Sequence, residues 1–146
     1  MAITYHVDYV RLDGFTRRQA FRLIKRATEE TRDVAKRNVI YRKHPGVPPR
    51  PIGLANSIFA MVRPTSQGWA GIVGSYLSYA ASVEEGAVPH IIRPRDPGGQ
   101  LVFWWSKRNL LFVGPVVHHP GQKGKSYLRR ALILVGRRYG FRVIIL

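Results

Sequence analysis

Glu29-Glu30 and Glu84-Glu85 are the closest acid pairs in the chain, and paired carboxylates held near one substrate are what general acid–base chemistry requires. Both pairs fall where a helix is expected. Adjacent helical residues point about 100° apart, so neither pair forms a dyad, and solvation or pairing with arginine is the plainer role. His118-His119 is the doublet that could hold a metal, but a strand turns adjacent side chains to opposite faces. The doublet has no HxH or HExxH spacing, and no carboxylate follows it. The serines lack a GxSxG elbow. Gly98-Gly99 makes no phosphate loop, and Gly121-Gln-Lys-Gly124-Lys-Ser126 sets its first glycine too near the second for GxxxxGK[ST]. With no cysteine, thiolate metal sites, disulfides and cysteine nucleophiles are excluded. The expectation is a protein that is no enzyme and takes no cofactor or metal.

What the residues do suit is phosphate. Lys and Arg total 24 against 8 Asp and Glu, a formal net charge of +16 in 146 residues. An excess of this size favours polyanionic partners such as nucleic acid or acidic protein surfaces. The charge is uneven, because no acid follows Asp96. Lys107, Arg108, Lys123, Lys125, Arg129, Arg130, Arg137 and Arg138 lie in that stretch and are the candidate cations for contact with such a polyanion. Trp104 and Trp105 precede two of them, and Tyr127 and Tyr139 stand beside others. Base stacking on these rings is one role; a place in the core or at a subunit interface is the favoured one.

The elements that must position these groups follow from periodicity. Residues 3–12 alternate as a short strand. Thr16 precedes Gln19 at capping-box spacing. Ala20, Phe21, Ile24, Ala27, Thr28, Thr31, Val34 and Ala35 then form one apolar stripe, predicting a helix to about residue 38 and some 35 Å long. Its outer face sets Arg26 against Glu30 and Asp33 against Arg37 at four-residue spacing. Residues 44–51, with Pro48, Pro49 and Pro51, cannot be helix or central strand and are expected to form an extended surface loop or an arm reaching a neighbour. A hairpin is expected over residues 57–74, a short helix over 76–85 ended by Gly86, and strands over 90–93, 101–105 and 110–117. Ser126 is the expected N-cap of a second helix, Gly140 its left-handed C-cap, and residues 141–146 a last β-prone segment. The order predicts one α+β domain over residues 1–146, an antiparallel sheet packed with a long N-terminal and a second C-terminal helix. No apolar stretch exceeds Ala131 to Val135 in length, far short of a membrane span of about 20 residues, and the amino terminus lacks a signal-peptide layout. Folding in a cytoplasm without a membrane partner is the expectation.

Three segments share an order with a known family. Pro48-Pro-Arg-Pro-Ile52-Gly53-Leu-Ala-Asn-Ser57-Ile resembles the "TG-L-SI" opening of the head–tail joining, or tail-completion, proteins of long-tailed bacteriophages. Tyr79-Ala-Ala-Ser-Val-Glu84-Glu-Gly86 resembles their "YA-x-x-VE-x-G" segment. His118-His-Pro120-Gly121, followed by Tyr127-Leu-Arg-Arg130-Ala-Leu, resembles their "HPG…FLRPAL" ending. The likeness spans about residues 16–134. It departs at Ile52, where the family more often has Thr, at Arg130, where it often has Pro, and over 135–146, which has no counterpart. The resemblance implies a structural protein of the virion neck, assembled in the host cytoplasm. It implies a ring of its own copies, expected as a hexamer, bound to head connector or stopper proteins and to a tail terminator or tail tube, with viral DNA passing through. Pro48, Pro49, Pro51, Trp104, Trp105 and Phe141 are the candidate inter-subunit contacts, since a ring contact joins two different patches. A tail terminator is the alternative within the family. A free-standing nucleic-acid-binding protein is the alternative outside it, followed by a hydrolase depending on His118 or His119.

Overall fold

The computed structural model describes residues 3–7, 14, 16–39, 53–66, 68–105 and 108–141. The chain is α+β, with the long N-terminal and the C-terminal helix both in place. Contacts divide it into two compact units, Met1–Glu85 with Gly124–Leu146, and Gly86–Lys123.

In the first unit, helix α1 (Arg17–Val39) starts at the capping box that the spacing predicts. The Thr16 N–H donates to Gln19 Oε1 at 2.8 Å, and the Gln19 N–H donates to Thr16 Oγ1 at 3.3 Å. Ile24, Ala27, Thr28, Thr31, Val34, Ala35 and Val39 are buried on one stripe. Two of these are threonines, yet neither hydroxyl is stranded. Thr28 Oγ1 donates to the Ile24 carbonyl at 2.7 Å and Thr31 Oγ1 to the Ala27 carbonyl at 2.8 Å. The stripe packs on a three-stranded antiparallel sheet ordered β1 (Ile3–Val7), β3 (Gly68–Ser75), β2 (Ile58–Thr65). Strand β2 is an edge, which is why Pro64 is tolerated in it. A short helix α2 (Gly53–Ser57) leads into β2.

Helix α4 (Tyr127–Arg138) buries Tyr127, Leu128, Ala131, Leu132, Val135 and Gly136 against α1. A fully buried Leu or Val contributes on the order of 2 kcal/mol. The two helices are tied at both ends of the contact. Asn38 Nδ2 donates to the Tyr127 carbonyl at 3.1 Å. At the other end Arg138 pairs with Glu30, whose second oxygen accepts the Tyr139 hydroxyl at 2.9 Å. Helix α4 ends as the sequence predicts, at Gly140 with φ of 69°. The Gly140 N–H bonds the Arg137 carbonyl and the Phe141 N–H bonds the Gly136 carbonyl, the two bonds of a Schellman motif.

The expected charge pairs on α1 do not form. Glu30 reaches Arg138 on the partner helix instead of Arg26, and Asp33 bonds its neighbour Arg32 at 2.8 Å instead of Arg37. Tertiary proximity and a planar guanidinium outcompete a weak four-residue helical pair. The hydrogen bond from Arg32 holds the Asp33 carboxyl below the ordinary carboxylate range; desolvation opposes this, and the charges of Arg32, Lys36 and Arg37 reinforce it. A carboxyl lowered in the folded state stabilises the fold above its unfolded pKa, and that contribution is lost as pH falls through the folded value. Solvent screens this pair, so the effect is small. Asp33→Asn is expected to lower the thermal midpoint slightly at pH 7, with the difference from wild type vanishing on acidification below the carboxylate range.

The second unit is one interrupted antiparallel ribbon. The short helix α3 (Ala80–Glu85) belongs to the first unit, and the chain beyond it runs outward as β4 (Gly86–Ala87), β5 (His90–Ile92) and β6 (Leu101–Trp105). The returning chain forms β7 (Leu110–Gly114), β8 (Val117–His119) and β9 (Gln122–Lys123). The pairs nest, β4 with β9, β5 with β8 and β6 with β7. The break falls where Pro94, Pro97 and two glycines on the outgoing chain face a shorter returning connection. Proline there removes ladder donors and forces the strand to leave the register. The sequence-based expectation of one strand over 110–117, ending the sheet at the histidines, is therefore corrected. The strand breaks after Gly114, and both histidines lie inside β8.

Candidate interaction surface

The cations picked out by sequence on α4 stand at its two ends. Arg129 and Arg130 stand exposed on the first turn of α4 and Arg137 and Arg138 on its last, roughly 12 Å apart along the axis. Arg138 is already engaged by Glu30. Lys125 is half-buried, its N–H donating to the Val83 carbonyl at 2.8 Å. Lys123 is exposed in β9. Arg108 follows β6 with its guanidinium over the Trp105 ring, 4.8 Å from the centroid. Lys107, Pro48, Pro49, Pro51 and the whole arm at 44–51 lie outside the described residues, as does the β-prone segment beyond residue 141.

Phe141 is used within its own unit. Its N–H closes the Schellman motif, its ring stacks on Tyr139 at 5.8 Å, and it packs against the core. Ser126, the expected N-cap, is not the cap. It sits at φ 49° and ψ 42° with no side-chain bond to the helix. The cap is Glu84, reaching from α3. Its Oε2 accepts the Leu128 N–H and its Oε1 the Arg129 N–H, both at 2.9 Å. A carboxylate at the positive end of the helix replaces the serine oxygen and opposes the arginines of that first turn. Glu84 is 2% exposed, so the reading of it as a solvated charge is corrected.

The histidines behave as strand residues. His119 stacks on His90 across the ribbon at 4.8 Å, and its Nδ1 accepts the Gly121 N–H at 3.1 Å. His90 Nδ1 donates to the Val88 carbonyl at 2.9 Å. His118 falls on the opposite face. Among the described residues no group of three or more His, Asp or Glu converges. A depression between α1 and α4 is lined by Ile24, Ala27, Thr28, Thr31, Leu132, Val135, Gly136 and Phe141, a set without an ionisable side chain.

Exposed apolar surface is concentrated on the hairpin of β6 and β7. The register pairs Val102 with Val113 and Trp104 with Leu111, which puts all four on one face. Their exposures are 63%, 52%, 57% and 57%. The opposite face carries Phe103 and Phe112, stacked at 5.0 Å, with Trp105 edge-on to Phe112 at 6.2 Å. Trp104 is thus on the bare face and Trp105 on the self-packed one. The bare face holds no charged side chain and amounts to a few hundred Å², the size of the largest apolar patch on a typical monomer, which is often functional. Sequence reading singled out the tryptophans but missed Val102, Leu111 and Val113. An alternating strand over residues 101–113 would have shown them, had both its faces not been apolar.

Comparison with protein-family models, curated proteins and solved structures returns no match for this chain.

Proposed function

We propose that this chain is a structural subunit of the neck of a long-tailed bacteriophage, a head–tail joining or tail-completion protein of the virion that acts as a ring and not by catalysis. Support comes from the three ordered motifs and from one observation above all, the uncharged face of Val102, Trp104, Leu111 and Val113. A soluble monomer gains nothing by exposing it, whereas a subunit that hands an extended ribbon to its neighbour buries it. A ring of subunits each bearing +16 repels itself, so it also calls for anionic partners, namely the DNA in its channel or acidic surfaces of the rings above and below.

Native mass measurement and electron microscopy of the purified full chain, alone and with tail tubes, test this. Rings are expected, and a strict monomer that fails to restore tails lacking it overturns the reading. Trp104→Lys combined with Leu111→Lys is expected to abolish the rings while leaving the thermal midpoint within about 2 °C, because exposed positions carry little folding energy. Rings that survive both changes place the subunit contact elsewhere and remove the observation on which the reading rests.

A further inference from the structure

Among the described residues, a line of unpaired positive charge lies apart from the candidate cations of the C-terminal stretch. Arg18, Arg22, Lys25 and Arg26 recur along the exposed side of α1, all four within an arc of about 100°. None of the four has an ion-pair partner among the described residues. The first turn of α1 carries no acid. The strip stops where acids begin, at Glu29 and Asp33.

Arg18 stands in the first turn, at the positive end of the helix macrodipole, where a cation is disfavoured by a few tenths of a kcal/mol. With no acid paired to any of the four among the described residues, their field outside the molecule is not cancelled. The strip is also rigid. The opposite stripe of α1 is buried, and the helix start is pinned by Trp69, whose Nε1–H donates to the Arg17 carbonyl at 3.2 Å. Arg17 itself lies over that ring at 5.6 Å, and Phe21 packs on it at 4.8 Å. The nearby aromatics are thus occupied with each other and offer no platform for unstacked bases.

We propose that this strip of α1 is a docking rail for the phosphate backbone of duplex DNA. The four cations span roughly 12 Å of helix, a length over which a duplex offers several phosphates, one per about 3.4 Å of axis on each strand. Sequence-specific contact is not part of it, because the strip meets phosphate only. The inference concerns the isolated chain and does not depend on ring formation.

The test is anisotropy of a short labelled duplex titrated with full-length protein across a salt series. Four phosphate contacts add about 3.6 to the slope of log affinity against log salt. The Arg18→Gln, Arg22→Gln, Lys25→Gln, Arg26→Gln variant is expected to lose most of that slope and on the order of 100-fold in affinity at 0.1 M salt. A second variant, Arg129→Gln, Arg130→Gln and Arg137→Gln with Lys123→Gln, removes the same charge from elsewhere and is expected to lose less than about 5-fold. All these positions are exposed, and unchanged circular dichroism confirms that each variant is folded. Equal losses from the two variants would show diffuse attraction without a rail and overturn the proposal. So would wild-type protein that binds polyglutamate as tightly as duplex at matched salt, which would point to an acidic protein partner.

Discussion

Glu84→Ala is expected to destabilise the protein by about 3 kcal/mol, the largest effect of any charged residue in the described structure. The carboxylate is buried and accepts two backbone N–H groups of the α4 start. No other group replaces it, because Ser126 is turned into a left-handed conformation, its N–H donating to the Glu84 carbonyl at 2.9 Å. Carboxylate and carbonyl of one residue thus clamp the end of α3 to the beginning of α4. Removing the side chain strands the buried Leu128 N–H and the part-buried Arg129 N–H and leaves the first-turn arginines facing the helix dipole uncompensated. Thermal midpoints should fall by roughly 6–12 °C in a chain of this length. Glu84→Gln keeps one acceptor but turns an amide N–H toward a backbone N–H, so it should recover less than half of the loss. The exposed neighbour is the control, with Glu85→Gln expected within about 0.5 kcal/mol of wild type. Equal, small effects at both positions would show that α4 does not depend on this cap.

Gly71→Ala should cost about 2–3 kcal/mol for a different reason. Gly71 lies in the central strand β3, opposite Val7 on one side and Val62 on the other. A Cβ built there runs into Thr28 Oγ1 on α1, with Thr28 Cβ at 3.2 Å and Cγ2 at 3.3 Å. Thr28 cannot swing away cheaply, because its hydroxyl is bonded to Ile24 and its site is buried. Either α1 lifts from the sheet or a rotamer is forced. Pairing the change with Thr28→Ala should return 1–2 kcal/mol, a coupling that denaturant unfolding of the two single variants and the double variant measures. Strict additivity would show that α1 and β3 approach less closely than described.

Helix α1 was legible because its signals are local and agree. A capping box, a stripe at 3.6-residue spacing and the lack of proline all reside in consecutive residues, and the observed boundary differs from the expected one by a single residue. The hairpin of β2 and β3 and the Gly140 stop were legible on the same ground. The site was less so. Four cations on one face of α1 are visible in the sequence, but that Arg26 is left without its expected partner depends on Glu30 turning to Arg138, a residue 108 positions away. Ser126 is a good cap by local rules and lost to Glu84 because a tertiary carboxylate, held by α3, reaches the same amides.

By itself, then, the amino-acid order determined helix α1, the hairpin of β2 and β3 and the stop of α4 at Gly140, and that the chain carries +16 without a cysteine. Those properties depend on side-chain type and on neighbours a few residues apart. Only the tertiary structure decided which charges are neutralised, which carboxylate caps α4, and which face of the β6–β7 ribbon is left bare. Each of these is settled by contacts between residues distant in the chain, whose closeness in space no local periodicity encodes.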